Sequence, residues 1–392
     1  MSRSTDRARV AVDARPALGS LPTGVGHYAA RLIRHLPEAD PGTEYVAWYL
    51  HARGLFHPRR FFGDVHARNL TEKASRFPAR LFEPVSSRLR VPRVEWLTGP
   101  FDAFLATNFL PPPTRSRAVV LVVHDLAFRI HPETAPHHHD ARWHRAFARG
   151  LEAAARVIVP SASAKADLVA FEGVDPAKVV VVHHGADRFV PPPPEDVSDV
   201  RARLGLAGPY ALSVAGLDPR KNLANLVEAF SRVSADAMLV IAGGRVPWFP
   251  EEADRLASQV ETLPAEVRRR VILTGYVTET DKRALIAGAT ALLYPSRYEG
   301  FGFPVLEGFS AGVPVLTSTV SSLPEVAGDA ALLVDHEDVG AIAEGIGRLL
   351  ADADLRTRLV AAGRERAATF TWKATALRTA EVLHEAAAEG RR

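Results

Sequence analysis

Glu299 and Glu307 stand in the spacing E-x7-E on either side of a glycine-broken turn, Gly300-Phe301-Gly302-Phe303, which Pro304 follows. The apolar run before the turn, ATALLYPS, predicts a strand. Pro304 predicts a helix start, where its missing N–H costs nothing. Backbone N–H groups of Gly302 and Phe303 would then point out of the helix terminus, and glycine lets a ligand approach closely, so the junction reads as an anion site. With a phosphate there, neither carboxylate could touch it without repulsion. Each is expected to accept hydrogen bonds from neutral hydroxyls, a ribose diol at one end and a sugar at the other. A second pair of charges, Arg220 and Lys221, stands between the strand-like run PYALSVAG and an amphipathic helix carrying Leu223, Leu226, Val227 and Phe230. Two cations at such a junction suit a diphosphate leaving group, whose developing charge must be stabilised. The D-x-D motif Asp352-Ala353-Asp354 sits between helical stretches and reads as a cap rather than a metal site.

The elements that must position these residues alternate along the chain. Apolar runs RVAVDA, EYVAWYL, DAFLAT, AVVLVVHD, RVIVPS and KVVVVHHG interleave with helical patterns and predict a first parallel sheet covered on both faces. A second series, PYALSVAG, AMLVIAGG, RVILTGYV, TALLYPS, VPVLTS and AALLVD, predicts a second sheet. Pro191 to Pro194 form a stiff extended segment between the two, and residues from Trp372 to Glu389 read as a terminal helix. The expected fold class is α/β, two Rossmann-like doubly wound domains facing across a cleft. Ligands in such sheets bind beyond the carboxyl ends of the strands. His124 closes the run VVLVVHD and is placed there; so are Gly24 and Gly26 after the first strand, Gly216 after PYALSVAG, and Gly243 after AMLVIAGG. Gly24 to Ala29 fit G-x-G-x-x-A, but the loop from Asp13 is too long for the dinucleotide turn.

At PSxxEGFGxPxLE, the following A-x-G-x-P-V and the loop SSLPEVxGDA, the chain resembles the retaining glycosyltransferases of family 4, of GT-B fold. The contexts VxHDLAF at His124 and G-x-x-x-P-R-K-N at Arg220 and Lys221 fit the same resemblance. It implies an N-terminal acceptor-side domain over 1–190, a nucleotide-sugar domain over 191–371, and a helix over 372–392 crossing back to the first. It implies metal-independent transfer of a hexosyl unit, mannose first, from a nucleotide-diphosphate sugar to a saccharide or lipid-linked hydroxyl. Glu299 would bind the donor sugar, Glu307 the ribose, and Arg220 and Lys221 the diphosphate. His124 would lie beside the sugar, Tyr276 and Val277 would line the base, and the glycine loop at Gly24 and Gly26 would close over the diphosphate. Gly300, Phe301, Gly302 and Phe303 would form the phosphate turn. An epimerase or phosphorylase of the same architecture, and a non-catalytic sugar-nucleotide sensor, stay open as alternatives.

Composition narrows the rest. Lys and Arg total 48 against 45 Asp and Glu, a net charge of +3 that gives nucleic-acid binding no global support. The chain contains no cysteine, which removes disulfides, thiolate ligands and a cysteine nucleophile. No apolar run is long enough to span a bilayer, and a cytoplasmic location is expected. Between His51 and Val94, Arg59, Arg60, Arg80, Arg88, Arg90 and Arg93 interleave with Phe61, Phe62, Phe77, Phe82 and Leu89. That pattern fits either peripheral contact with an anionic membrane or a solvated domain edge. His131, His137, His138, His139 and His144 crowd together, but consecutive histidines project in different directions and carry no carboxylates at ligand spacing.

Overall fold

The computed structural model describes residues 7–18, 23–50, 61–65, 67–75, 82, 85–86, 89–134 and 140–391. Two compact units emerge. One takes in residues 1–126, 139–185 and 371–392, the other 127–138 and 186–370.

In the first unit the described strands are β1 (Arg9–Asp13), β2 (Glu44–Leu50), β3 (Leu70–Ser75), β4 (Ala103–Ala106), β5 (Val119–Val122), β6 (Arg156–Val159) and β7 (Val179–Val181). They form one sheet in the order β3-β2-β1-β4-β5-β6-β7, every pair parallel. Every residue of β4 and β5 is buried, as a continuous apolar run in a doubly covered sheet requires. The helix α1 (Gly24–Ala39) buries Tyr28, Ala29, Leu32, Ile33 and Leu36, a stripe at helical spacing. In the last helix of the chain, Trp372–Gly390, small residues including Ala376, Ala380 and Ala387 are buried and let it lie close to α1. It is tied down by Thr375, whose hydroxyl donates to the His183 carbonyl (2.8 Å), and by His384 Nε2 against Asp40 (2.8 Å).

The strand β3 is absent from the apolar runs read above. Its sequence, LTEKAS, is polar because β3 is the edge of the sheet among the described residues, and it pairs with β2 over all six residues. Glu72 on this strand accepts the Tyr49 hydroxyl (3.1 Å) and the backbone N–H groups of Phe61 and Phe62 (2.9 and 3.2 Å). The basic, aromatic segment therefore divides. Phe62 and Phe82 are core residues, Phe82 packing on Trp48, whereas Leu89 and Trp96 are exposed and Arg93 lies over the Trp96 ring. Arg59, Arg60, Phe77, Arg80 and Arg88 fall outside the described residues. No helix among the described residues is long and apolar enough to cross a membrane.

The second unit repeats the plan with β8 (Tyr210–Val214), β9 (Met238–Ala242), β10 (Val271–Gly275), β11 (Ala291–Tyr294), β12 (Val315–Ser318) and β13 (Ala331–Val334). Their order is β10-β9-β8-β11-β12-β13, all parallel. Separate apolar clusters involve the two sheet faces, one with Leu306 and Phe309, the other with Leu226, Phe230 and Ile342. The proline run is not extended throughout: Pro194 is the first residue of a helix, Pro194–Arg203, while the chain passes from one unit to the other at Gly185–Ala186.

Candidate active site

Strand order reverses between β8 and β11, which are neighbours in the sheet though far apart in sequence. Loops leaving the carboxyl ends of two such strands diverge to opposite faces and open a crevice between them. The β8 loop carries Gly216, Arg220 and Lys221; the β11 loop carries Glu299 and the glycine turn.

Beyond β8 the chain makes a 3-10 turn over Pro219–Lys221, capped by Asp218, whose carboxylate accepts the Arg220 backbone N–H and its guanidinium (both 2.9 Å). Asn222 follows in the left-handed region (φ 58°) and links the turn to its surroundings. Its Nδ2 donates to the carbonyls of Pro295 (3.1 Å) and His336 (2.7 Å), and its Oδ1 accepts from Arg297 Nε (3.1 Å). The Arg297 backbone N–H donates to the Arg220 carbonyl (2.8 Å), so both Arg220 and Asn222 tie the two loops together.

Lys221 and Glu299 meet in that junction. Lys221 Nζ donates to Glu299 Oε1 at 2.6 Å and to the Tyr294 hydroxyl at 2.8 Å, and that hydroxyl donates to the same Oε1 at 2.6 Å. Their side chains are only 16% and 12% exposed, and Tyr294 is buried, so water does little to weaken the pair. Burial alone would raise the Glu299 carboxyl, but the charges of Lys221 and then Arg220, with two hydrogen bonds, hold it below the usual carboxylate range. Burial likewise disfavours the Lys221 ammonium, yet Glu299 and Tyr294 raise it above its ordinary value. The pair is ionised at neutral pH.

The Glu299 loop is held from behind. Its backbone N–H donates to Ser321 Oγ (3.0 Å), and the Ser322 hydroxyl donates to the carbonyls of Glu299 (2.8 Å) and Phe301 (2.7 Å). Gly302 caps the helix α2 (Phe303–Ala311) with φ 120°, and a Cβ there would lie 2.9 Å from Leu323, so both backbone and space call for glycine. Phe301 is buried against Phe303 and Phe370. Pro304 is the second residue of α2, and Glu307, one turn further, is paired with Lys282 Nζ at 2.9 Å.

Other sequence-chosen residues fall at neighbouring strand ends. Gly216 follows β8, and Tyr276 and Val277 follow β10, Tyr276 being exposed and Val277 packed against the core. Gly243 follows β9, and packing there calls for glycine, since a Cβ would stand 1.6 Å from the Ala215 carbonyl oxygen. Gly24 and Gly26 form the first turn of α1 in the other unit, with Thr23 Oγ1 accepting the Gly26 N–H (3.1 Å). His124 also belongs to that unit, just beyond β5. Its Nε2 is 2.9 Å from the Thr107 carbonyl, which can only accept, so Nε2 carries the proton and Nδ1 is left as an acceptor in the neutral ring. Burial pushes its pKa down, against the pull of the Thr107 carbonyl and Asp125. Asp352 caps its helix by accepting the Leu355 N–H (2.8 Å). His131 pairs with Glu133, His137 to His139 lie outside the described residues, and no metal-ligating group of three forms among the described residues.

Residues 196–366 match the family Glycosyl transferases group 1, and residues 22–188 match Glycosyltransferase Family 4. The chain is a family 4 glycosyltransferase. It is 29% identical over 368 residues to O-antigen chain mannosyltransferase B of Escherichia coli, covering 90% of this chain and 93% of that protein. It is 34% identical over 253 residues to the alpha-maltose-1-phosphate synthase of Mycolicibacterium smegmatis, covering 61% of this chain and 65% of that one. In fold it is similar to Anabaena HepE, solved in complex with UDP and glucose (TM-score 0.71, 16% identity, 97% of this chain and 100% of that chain). A similar likeness joins it to the sucrose-phosphate synthase of Thermosynechococcus elongatus (TM-score 0.71, 22% identity, 97% and 99%). The glycosyltransferase has the GT-B fold.

Two residues of this glycosyltransferase escaped the sequence reading, Tyr294 and Lys282, and the bonds made by Asn222 escaped it too. Tyr294 ends an apolar strand, and a hydroxyl there was a usable signal. For Lys282 none existed, because only tertiary packing brings it to Glu307. The glycosyltransferase also buries a histidine beside His124. His184 packs on Tyr28 and Trp372, and burial followed by the charges of His124, His183 and His27 drives its pKa well below the ordinary value. Folded-state values of His124 and His184 lie below the unfolded value of about 6.5, so the unfolded chain takes up protons first as pH falls. Stability conferred by the two neutral rings is present above about pH 6.5 and is lost below it, by up to ~1.4 kcal/mol per pH unit for each ring. Denaturant midpoints at pH 7 and pH 5 should show the fall, and His184→Phe should flatten it.

Proposed function

We propose that this glycosyltransferase moves a hexosyl unit, mannose first among candidates, from a nucleoside-diphosphate sugar to a saccharide or lipid-linked hydroxyl, with retention and without a divalent ion. The observation that carries this reading is the largely sheltered Lys221–Glu299 pair, drawn from adjacent loops at the strand-order reversal beside the Gly302 helix start. Mannose is favoured by the likeness to the Escherichia coli mannosyltransferase, and a diphosphate donor by the UDP complex of HepE.

In the proposed reaction the anomeric C–O bond breaks and its electron pair passes to the β-phosphate oxygen. Arg220, Lys221 and the N–H groups at the start of α2 stabilise that charge. The acceptor hydroxyl attacks the face the phosphate leaves, and its proton passes to the departing phosphate oxygen. Glu299 holds donor hydroxyls and steadies positive charge on the ring. Glu307 receives the ribose, and Tyr276 and Val277 line the base. His124 offers Nδ1 to a sugar hydroxyl, a role proposed from the resemblance. The glycine loop at Gly24 and Gly26 is proposed to serve the diphosphate.

Calorimetry with UDP and GDP, followed by donor consumption with mannose and glucose donors and saccharide acceptors, tests the reading. Binding of one diphosphate, transfer of a hexose with retained anomeric configuration, and rates unchanged within about twofold by a chelator are expected. Loss of all turnover on chelation would remove the ion-independent mechanism; absence of diphosphate binding would remove the donor site.

A further inference from the structure

Lys282 lies on the helix Glu279–Gly288, outside the motif that contains Glu307. Its Nζ is 2.9 Å from Glu307 Oε1 and 3.2 Å from Glu279 Oε2. The three side chains differ in exposure: Lys282 21%, Glu307 34% and Glu279 70%. Glu279 is therefore mostly solvated and weakly held, whereas the Lys282 contact to Glu307 is partly sheltered. The cation occupies one oxygen of Glu307, Oε1, and so sets which way the carboxylate plane turns and which oxygen remains for a ligand.

We propose that Lys282 is a positioning residue for nucleoside recognition: it fixes Glu307 in the orientation that receives the ribose diol and offsets its negative charge next to a diphosphate. The inference rests on the reading of Glu307 as the ribose acceptor. A carboxylate that accepts two hydroxyls must hold one plane while its ligand arrives, and a charge so near a diphosphate needs a counter-charge. Lys282 supplies both, from a neighbouring helix that does not depend on the glycine turn. A merely structural brace between two helices would behave differently. Partly exposed ion pairs of this kind add little to stability, so its removal would leave ligand discrimination unchanged.

The test compares UDP and GDP with their 2′,3′-dideoxy counterparts by calorimetry on the full chain, in the unchanged protein and in Lys282→Met, Glu307→Gln and the double variant. The unchanged protein should prefer the ribonucleotide by about 10- to 100-fold, as hydrogen bonds to a charged group imply. Lys282→Met should reduce that preference to within about threefold, and adding it to Glu307→Gln should change nothing further, because both act through one contact. If Glu307→Gln loses the preference and Lys282→Met keeps it, the positioning role is overturned while the ribose reading stands. If Glu307→Gln keeps the preference, or the unchanged protein has none, both fall together.

Discussion

Lys221→Met should lower turnover by about 10²- to 10³-fold, the loss seen when one preorganised donor to a developing negative charge is removed, and should also weaken diphosphate binding. Two effects add in the same direction. The diphosphate loses a largely sheltered cation, and Glu299, only 12% exposed, loses the charge that holds its carboxyl low. An unpaired buried carboxylate costs about 3–5 kcal/mol. Burial then acts on Glu299 with less opposition, and its pKa rises. The variant should thus be less stable, and its loss should grow as pH rises from 5 to 8 and the orphaned carboxyl ionises. Removing that charge as well, in Lys221→Met with Glu299→Gln, should recover most of the stability but none of the turnover. Denaturant unfolding across pH separates the two effects, and calorimetry with the bound diphosphate reads the binding loss. A Lys221→Met protein that binds diphosphate as well as the unchanged chain would show that this cation faces something else.

How far this site could be read from the sequence depends on how local each signal is. The turn at Gly300 to Phe303 and the helix start are written in adjacent residues, because glycine and proline act on their own backbone, and they stand where the spacing places them. Apolar strands such as VVLV announce themselves because a doubly covered sheet tolerates nothing else. The strand LTEKAS does not, since among the described residues it stands at the sheet's edge and its side chains need not be apolar. Partnerships across the sheet were invisible for another reason. Lys221 and Glu299 were both singled out, but as ligands of different parts of a substrate; that they meet follows from β8 lying beside β11, a fact of strand order and not of spacing. Asn222 shows the same limit. Its place in the helix-start motif was plain, while its bonds to Pro295 and His336 join residues brought together only by the fold.

Glu299→Gln should share the lysine variant's loss of turnover, about 10²-fold or more, but not its loss of binding: the diphosphate binds as well as before or more tightly. Glutamine keeps the length and shape of the side chain and still accepts the Tyr294 hydroxyl, so the loop tied by Ser321 and Ser322 has no reason to move. What disappears is the charge. Lys221, freed of its counter-ion, then offers its whole field to the phosphates; burial acts on it with less opposition and its pKa falls, and a bound diphosphate restores the negative partner that favours the ammonium. Ground-state binding through the diphosphate is thereby spared, whereas positive charge developing on the sugar ring loses its nearest carboxylate. A mutation that removes stabilisation present only in the transition state lowers kcat and leaves the donor KM near its starting value. Alanine in the same place would confuse the result by emptying space next to Tyr294, so the glutamine variant is the decisive one. Should Glu299→Gln instead raise the donor KM with kcat intact, the carboxylate would be a plain binding group, and stabilisation of the sugar cation would have to be assigned to another residue.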